Sequence, residues 1–199
     1  MPGTASVHDV VAAILDRTGP ESPMKVQKLL YYTQGWHLGR FGEPLFPDRI
    51  EAWTAGPVVP EVYRRHEGTR EVADWPEGDP GRLSDQDREL VDTVVARYGG
   101  FDRHQLSAMT HDEEPWRVAR GDLPDSAPSR VRLSESVMAR FFGRLMCDAD
   151  TAAAEAAASA RLEGLEVSAE ARRACSRVAD GTMTTDQAVR QRLRELLGA

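Results

Sequence analysis

The chain has 199 residues, of which 41% are hydrophobic and 29% are charged, which is typical of a folded, water-soluble protein. Its length suffices for one domain of ordinary size with a small appended module. The formal net charge of −7 argues against sequence-independent binding to nucleic acid or to anionic membranes. No apolar run reaches the length of a bilayer span and no signal peptide precedes the first helical pattern, so we expect a cytoplasmic protein.

Two helical patterns open the chain, and each begins at a serine that can cap it. Ser6 and Ser22 precede runs of apolar residues at helical spacing, and Pro23 suits the first helical position because its missing N–H costs nothing there. The second pattern is rich in aromatic residues, which predicts a wide buried face. Lys25 and Lys28 are assigned to the solvated opposite side of this helix, with a binding face as the alternative.

The periodicity changes between residues 44 and 60. Two short extended pieces around Pro47-Asp48 predict a small β-hairpin near residues 44–54. The segment 56–60, with the sequence Gly-Pro-Val-Val-Pro, is not helical because each proline restricts the residue before it. Its prolines lack the N–H donors that a phosphate would need, so a structural role is favoured over a ligand-binding loop.

Further helical patterns begin at Ser84, near Phe101 and at Ser134, with loop-like segments between them. Residues 110–116 read Thr-His-Asp-Glu-Glu-Pro-Trp and invite a metal or acid–base interpretation. Consecutive side chains cannot all face one ion on a helix, and no second histidine lies at the spacing of a zinc site. We therefore expect a loop in which His111 is hydrogen-bonded to the backbone. The sequence shows no pairing of a nucleophile with a base, so an enzyme is the least favoured class of protein, and no metal or cofactor is expected.

The composition changes again after residue 150, where alanines replace the large apolar residues. Alanine maintains a helix but offers little surface to bury, which predicts a solvated helical arm or one that packs on a partner. The arm ends at Glu163 and Gly164. A glutamate in the last turn faces the negative end of the helix dipole at a local cost of about 0.3–1 kcal/mol, and glycine suits the turn that follows. The two short amphipathic helices after it cannot form a sufficient core alone, so they must dock on the arm or on a partner.

The first block contains several unusual short motifs in a fixed order, at residues 25–32, 35–38, 44–46, 50–53, 56–63, 106–107, 110–111 and 115–116. In these motifs the block resembles the Panacea domain, also called the SocA-like antitoxin domain, over residues 6–148. The resemblance implies an antitoxin scaffold that neutralises a toxin encoded beside it. One member of that family delivers its toxin to a protease, which makes a proteolytic adaptor the second interpretation and a protease the second candidate partner.

Ser159, Glu163 and Gly164 fit the pattern Ser/Thr-x-x-x-Glu-Gly/Asn. In this pattern, and in the two helices that follow it, the second block resembles the VbhA-type antitoxins, which inhibit Fic-domain toxins. The resemblance implies that Glu163 pairs with the toxin arginine that binds an ATP phosphate, that Ser159 hydrogen-bonds within the toxin's site, and that Gly164 lets the chain turn away. Peripheral contacts of this inhibitory segment are assigned to Arg161, Leu162 and Leu165.

The sequence thus predicts a mainly α fold. A compact helical domain with a small β-hairpin (residues 1–148) is joined by a long helix to a small C-terminal helical module (149–199). The predicted function is that of a non-enzymatic antitoxin whose partner is a Fic-domain, AMP-transferring toxin. Neutralisation of an unrelated toxin by simple binding, or delivery of a toxin to a protease, are the alternatives. Neither a membrane nor nucleic acid is an expected partner, since no basic recognition helix is present.

Overall fold

The computed structural model describes residues 5–146 together with Ser168, Arg173 and Arg177. The chain divides into two units, Met1–Gly143 and Arg144–Ala199. The predicted alanine-rich arm and the two C-terminal helices lie outside the described residues, apart from those three positions. No helix among the described residues is long and apolar enough to cross a membrane.

Helices make up most of the described part. In chain order they are α1 (Val7–Thr18), α2 (Pro23–Phe41), α3 (Pro60–His66), α4 (Asp85–Tyr98), α5 (Arg103–Asp112) and α6 (Glu114–Arg120). A further helix, α7, covers residues 135–146. Strands β1 (Glu51–Trp53) and β2 (Gly56–Val58) form an antiparallel hairpin after α2, and a 3₁₀ turn at Pro80–Arg82 precedes α4. The predicted mainly helical fold with one small hairpin is confirmed.

The predicted helix starts are confirmed by their caps. The side-chain oxygens of Ser6 and Ser22 accept hydrogen bonds from backbone N–H groups of the first turns of α1 and α2, at 3.2 and 3.4 Å. Ser84 and Ser134 cap α4 and α7 in the same way, at 3.1 and 3.4 Å. Each serine satisfies a donor that has no partner within its helix, which is a purely local effect.

Helix α2 lies at the centre of the first unit. Every residue from 25 to 38 is buried, because α1, α4, α5 and the hairpin surround it. A helix that is buried all round forms the core of its domain. A Cβ atom on Gly35 would lie 2.1 Å from the ring of Phe142, so α7 crosses α2 at a distance that only glycine permits. The predicted solvated side for Lys25 and Lys28 is therefore wrong, since both lysines are buried.

The hairpin lies later in the chain than predicted. β1 pairs with β2, and the turn is formed by Thr54-Ala55 rather than Pro47-Asp48. Leu45 and Phe46 are not paired as a strand because the Gln34 side chain takes up their backbone groups: its Oε1 accepts from the two N–H groups at 2.9 and 3.3 Å, and its Nε2 donates to the Phe46 carbonyl at 2.9 Å. On its other side β1 pairs with the segment 131–133 through two backbone hydrogen bonds of 2.8 Å.

Candidate functional site

The inhibitory segment predicted from the sequence lies outside the described residues. This holds for all of its members, namely Ser159, Arg161, Leu162, Glu163, Gly164 and Leu165. The described unit carries a separate group of polar side chains, where α2 meets the hairpin and the junction of α5 with α6. These side chains, and two cavities next to them, are the functional candidates of the first unit.

Lys28 is buried where α2 passes the hairpin. Its side chain is 1% exposed, and its Nζ donates a hydrogen bond of 3.0 Å to the carbonyl oxygen of Pro57. Burial lowers the pKa of the Lys28 amine from 10.5 to about 7, because a medium of low polarity disfavours the charged form. Near pH 7 a large fraction of this amine is therefore neutral.

The neighbouring Gly56-Pro57 pair is shaped to receive that amine. Gly56 has a φ of +100°, and a Cβ atom there would lie 2.7 Å from both Lys28 Cε and Thr110 Oγ1. Pro57 lies opposite Ala52, at a position whose backbone groups point away from β1. Pro57 has no N–H group, and its carbonyl oxygen already accepts a hydrogen bond from Lys28. Its backbone therefore cannot hydrogen-bond to a further strand at the outer edge of the hairpin. These contacts are consistent with the structural role that was predicted for residues 56–60.

Glu113 ties the α5–α6 junction to α2. Its carboxylate accepts hydrogen bonds from the hydroxyls of Tyr31 and Tyr32, at 2.7 and 3.0 Å. Burial raises the pKa of Glu113 to about 7, although both hydrogen bonds favour the charged form. Burial and this carboxylate together raise the pKa of both tyrosines, so they stay protonated donors. Sequence reasoning missed this contact, and the adjacent tyrosines on a buried helix were the signal that could have revealed it.

The first cavity, which we call the α2 cavity, measures about 580 Å³ and opens between the start of α2, the hairpin turn and α3. Trp53 and Tyr63 line it, with their rings in an edge-to-face contact at 4.8 Å. Gln27 Nε2 lies 3.0 Å from His66 Nε2, and Gln27 Oε1 accepts a hydrogen bond from the backbone of α3's cap residue at 2.7 Å. Burial lowers the pKa of His66. The Gln27 amide is thus already paired within the domain.

The second cavity, the α6 cavity, measures about 630 Å³ and lies beside α6. Trp116 is part of its wall, with the ring of His111 stacked on it at 4.1 Å and the guanidinium of Arg120 at 5.0 Å from its centroid. Trp116 itself is fixed by its Nε1, which donates to the carbonyl of Trp53 at 3.0 Å. His111 belongs to α5, so the prediction of a loop at this position is wrong.

Arg120 is 3% exposed and holds the following loop in place. Its terminal nitrogens donate to the backbone carbonyls of Ala52, Pro124, Asp125 and Ala127. Within the described part of the chain, Nε of Arg120 and Nε2 of His111 are buried side-chain nitrogens without a hydrogen-bond partner. A buried polar atom left unpaired costs about 1–3 kcal/mol, so these two nitrogens oppose the folding of this region.

Residues 110–116 had invited a metal interpretation. Among the residues that the structure describes, no group of three or more histidine, cysteine, aspartate or glutamate side chains is placed to hold a metal ion. The side chains of this stretch instead divide between two tasks. Glu113 faces α2, whereas His111 and Trp116 line the α6 cavity.

The first unit matches known antitoxins. The family model described as Antitoxin SocA-like, Panacea domain, matches residues 26–117, a span that runs from the start of α2 into α6. Antitoxin SocA of Caulobacter vibrioides (strain NA1000 / CB15N) is 39% identical over 156 residues, which cover 69% of this chain and 82% of that protein. The chain belongs to the SocA-like antitoxin family. No solved structure matches it.

A second match lies in the part of this SocA-like antitoxin that follows the described unit. The family model Antitoxin VbhA matches residues 151–194, a span that contains the whole predicted inhibitory segment. Two antitoxin families thus match one chain in succession. Together they identify the protein as an antitoxin, which implies a cognate toxin as its partner.

Proposed function

We propose that this antitoxin inhibits a Fic-type, AMP-transferring toxin and that Glu163 obstructs the toxin's ATP site. The observation that carries the proposal is the VbhA match over residues 151–194. Within that span Ser159, Glu163 and Gly164 stand at the spacing of the inhibitory pattern. The module 149–199 would be the inhibitory part, and residues 1–148 an antitoxin domain that holds the toxin.

The chemistry rests on competition between a carboxylate and a phosphate. A Fic enzyme must hold the ATP phosphates with arginine and with backbone N–H groups while a target hydroxyl attacks. A carboxylate fixed on a helix can pair with that arginine in place of the terminal phosphate. The nucleotide then lies out of line for attack, and small errors of alignment lower the rate strongly. Ser159 precedes Glu163 by four residues, a spacing that would place both side chains on the same side of a helix, so the serine could add a hydrogen bond within the toxin.

The test is the variant Glu163→Gly in the full chain, in complex with the toxin from the adjacent reading frame. We expect transfer of labelled AMP to appear while the complex stays assembled in size-exclusion chromatography. Glu155→Gly is the matched control, because it places the same substitution in the same alanine-rich stretch but outside the pattern. Glu163→Gln removes only the charge and should also release activity.

Different outcomes lead to different conclusions. An assembled Glu163→Gly complex that remains inactive would show that the toxin is blocked sterically and not by the carboxylate. A toxin without AMP-transfer activity would refute the Fic assignment. Delivery to a protease predicts that the toxin's half-life in cells shortens when the antitoxin is present. Obstruction of the ATP site predicts a half-life that is unchanged or longer.

A further inference from the structure

Glu113 alone forms the corner between α5 and α6. The first helix ends at Asp112 and the second begins at Glu114, and the backbone of Glu113 between them is extended, with φ of −85° and ψ of 140°. No side chain of the described residues caps the start of α6, and Pro115 in its first turn has no N–H to donate. The side chain of Glu113 reaches back to α2 instead, so its carboxylate joins this corner to the central helix.

The two hydroxyls that hold this carboxylate make the corner sensitive to a proton. Tyr31 and Tyr32 donate to different oxygens of Glu113, at 2.7 and 3.0 Å, which suits the charged form because both of its oxygens accept. A protonated carboxyl group must itself donate through one oxygen, so one of the two hydrogen bonds would weaken or reverse. Burial acts in the other direction, since a charged carboxylate is costly to remove from water. The two effects oppose each other at one side chain.

The other titratable and charged neighbours of Glu113 do not cancel the effect of burial. Arg97 of α4 favours the charged form and Asp112 of α5 opposes it, and burial outweighs both. Tyr98 of α4, whose ring is stacked on that of Tyr32 at 3.8 Å, stays protonated because its pKa is raised to about 12. The pKa of Glu113 is raised to about 7, so this carboxyl group changes its charge near neutral pH.

Helix α6 carries the next part of the chain with it. It has seven residues, too few to stay helical without contacts to the rest of the domain. Nε1 of Trp116 donates to the carbonyl of Trp53, and Arg120 donates to carbonyl oxygens of β1 and of the following loop. At the surface, Glu114 pairs with Arg140 of α7 at 2.8 Å, a contact that contributes little. A movement of α6 at its corner would therefore move the following loop as well.

We propose that the α5–α6 corner is a pH-sensitive switch, in which loss of the Glu113 proton favours release of α6 and of the loop after it while α2 and α4 stay folded. The released carboxylate reaches water and no longer bears the cost of burial. The switch is built from residues of the first unit only, so it does not depend on the proposal that the toxin is a Fic enzyme.

Hydrogen exchange of the full chain, followed by mass spectrometry at pH 6 and pH 8, tests the switch. Peptides from α6 report its release, and peptides from α2 report unfolding of the whole unit. If the pKa of Glu113 is about 7 when docked and 4.5 when released, the equilibrium for release rises about tenfold between the two pH values. After correction for the chemical exchange rate, we expect the protection of α6 amides to fall by about fivefold to tenfold, and to lie below that of α2 amides at pH 8.

The matched variant is Glu113→Gln, which removes the titration and should remove this fall in protection. Glu89→Gln makes the same change at an exposed glutamate of α4 and controls for the substitution itself. Equal protection of α6 and α2 amides at pH 8 would show that the unit opens only as a whole, and would overturn the proposal without any variant. A fall in α6 protection that persists in Glu113→Gln would overturn it as well, because another group would then be responsible.

Discussion

The carboxyl group of Glu113 should make the stability of the first unit depend on pH in an unusual direction. Its pKa is raised from 4.5 to about 7, so the folded chain binds this proton more tightly than the unfolded chain does. The resulting stabilisation is complete below pH 4.5 and is lost as the pH rises through about 7. Most surface carboxylates behave in the opposite way, because ion pairs lower their pKa.

The size of the effect follows from the two pKa values. At about 1.4 kcal/mol per pH unit, a pKa raised from 4.5 to about 7 corresponds to about 3 kcal/mol. The carboxylate is only half-buried, and solvent screening reduces this figure, so we expect about 2 kcal/mol. Glu113→Gln keeps the shape of the side chain and removes its titration. The difference in unfolding free energy between variant and parent should therefore change by about 2 kcal/mol, in favour of the variant, from about pH 4.5 to about pH 8.

Urea unfolding followed by tryptophan fluorescence measures this difference in the full chain. The four tryptophans all lie in the first unit, at positions 36, 53, 75 and 116, so the signal reports that unit alone. Glu89→Gln serves as the control for the substitution itself, because it makes the same change at a glutamate that is exposed on α4. If the Glu113→Gln and parent curves run parallel between the two pH values, the carboxylate is not desolvated and the reasoning is refuted.

Two further predictions concern the contact between α2 and the hairpin. Burial lowers the pKa of Lys28 to about 7, so the unfolding free energy of the parent should increase as the pH rises from about 7 towards 10.5. Lys28→Met should lose this increase in the same urea assay. An equal increase in both proteins would contradict the prediction. Gly56→Ala should destabilise the unit by about 2 kcal/mol or more, because φ is +100° and the new Cβ would lie 2.7 Å from Lys28 and Thr110. Gly100→Ala, which meets no atom within 4 Å, should change the unfolding free energy by less than about 0.5 kcal/mol.

The features that the sequence predicted correctly are those with local causes. A serine cap needs only a side-chain oxygen next to the first free N–H groups of its own helix, so Ser6, Ser22, Ser84 and Ser134 could be identified from their neighbours in the chain. The order of helices and the presence of one hairpin followed from periodicity and from the positions of proline and glycine. The resemblance of the first block to the SocA-like antitoxins also rested on short motifs, and it is confirmed by the SocA-like match.

The features that the sequence did not reveal depend on contacts between distant residues. Lys28 was assigned to solvent because lysines usually lie there, but the hairpin packs over it and uses its amine to bind Pro57. The predicted pairing of residues 50–53 with Leu45 and Phe46 is wrong for a similar reason. The side chain of Gln34, on α2, forms hydrogen bonds with the backbone groups of Leu45 and Phe46. Arg120 is likewise held by carbonyl oxygens of the loop after α6, a contact that local sequence patterns do not reveal.

The proposed function divides binding from inhibition between the two parts of the chain. If residues 1–148 hold the toxin, the inhibitory segment acts at the effective concentration that its attachment to the same chain provides, which raises the overall affinity without a new contact. Glu163→Gly should then abolish inhibition at every antitoxin concentration, with binding to the toxin retained. A Glu163→Gly variant that still inhibits fully at saturation would show instead that residues 1–148 take part in blocking the toxin's active site.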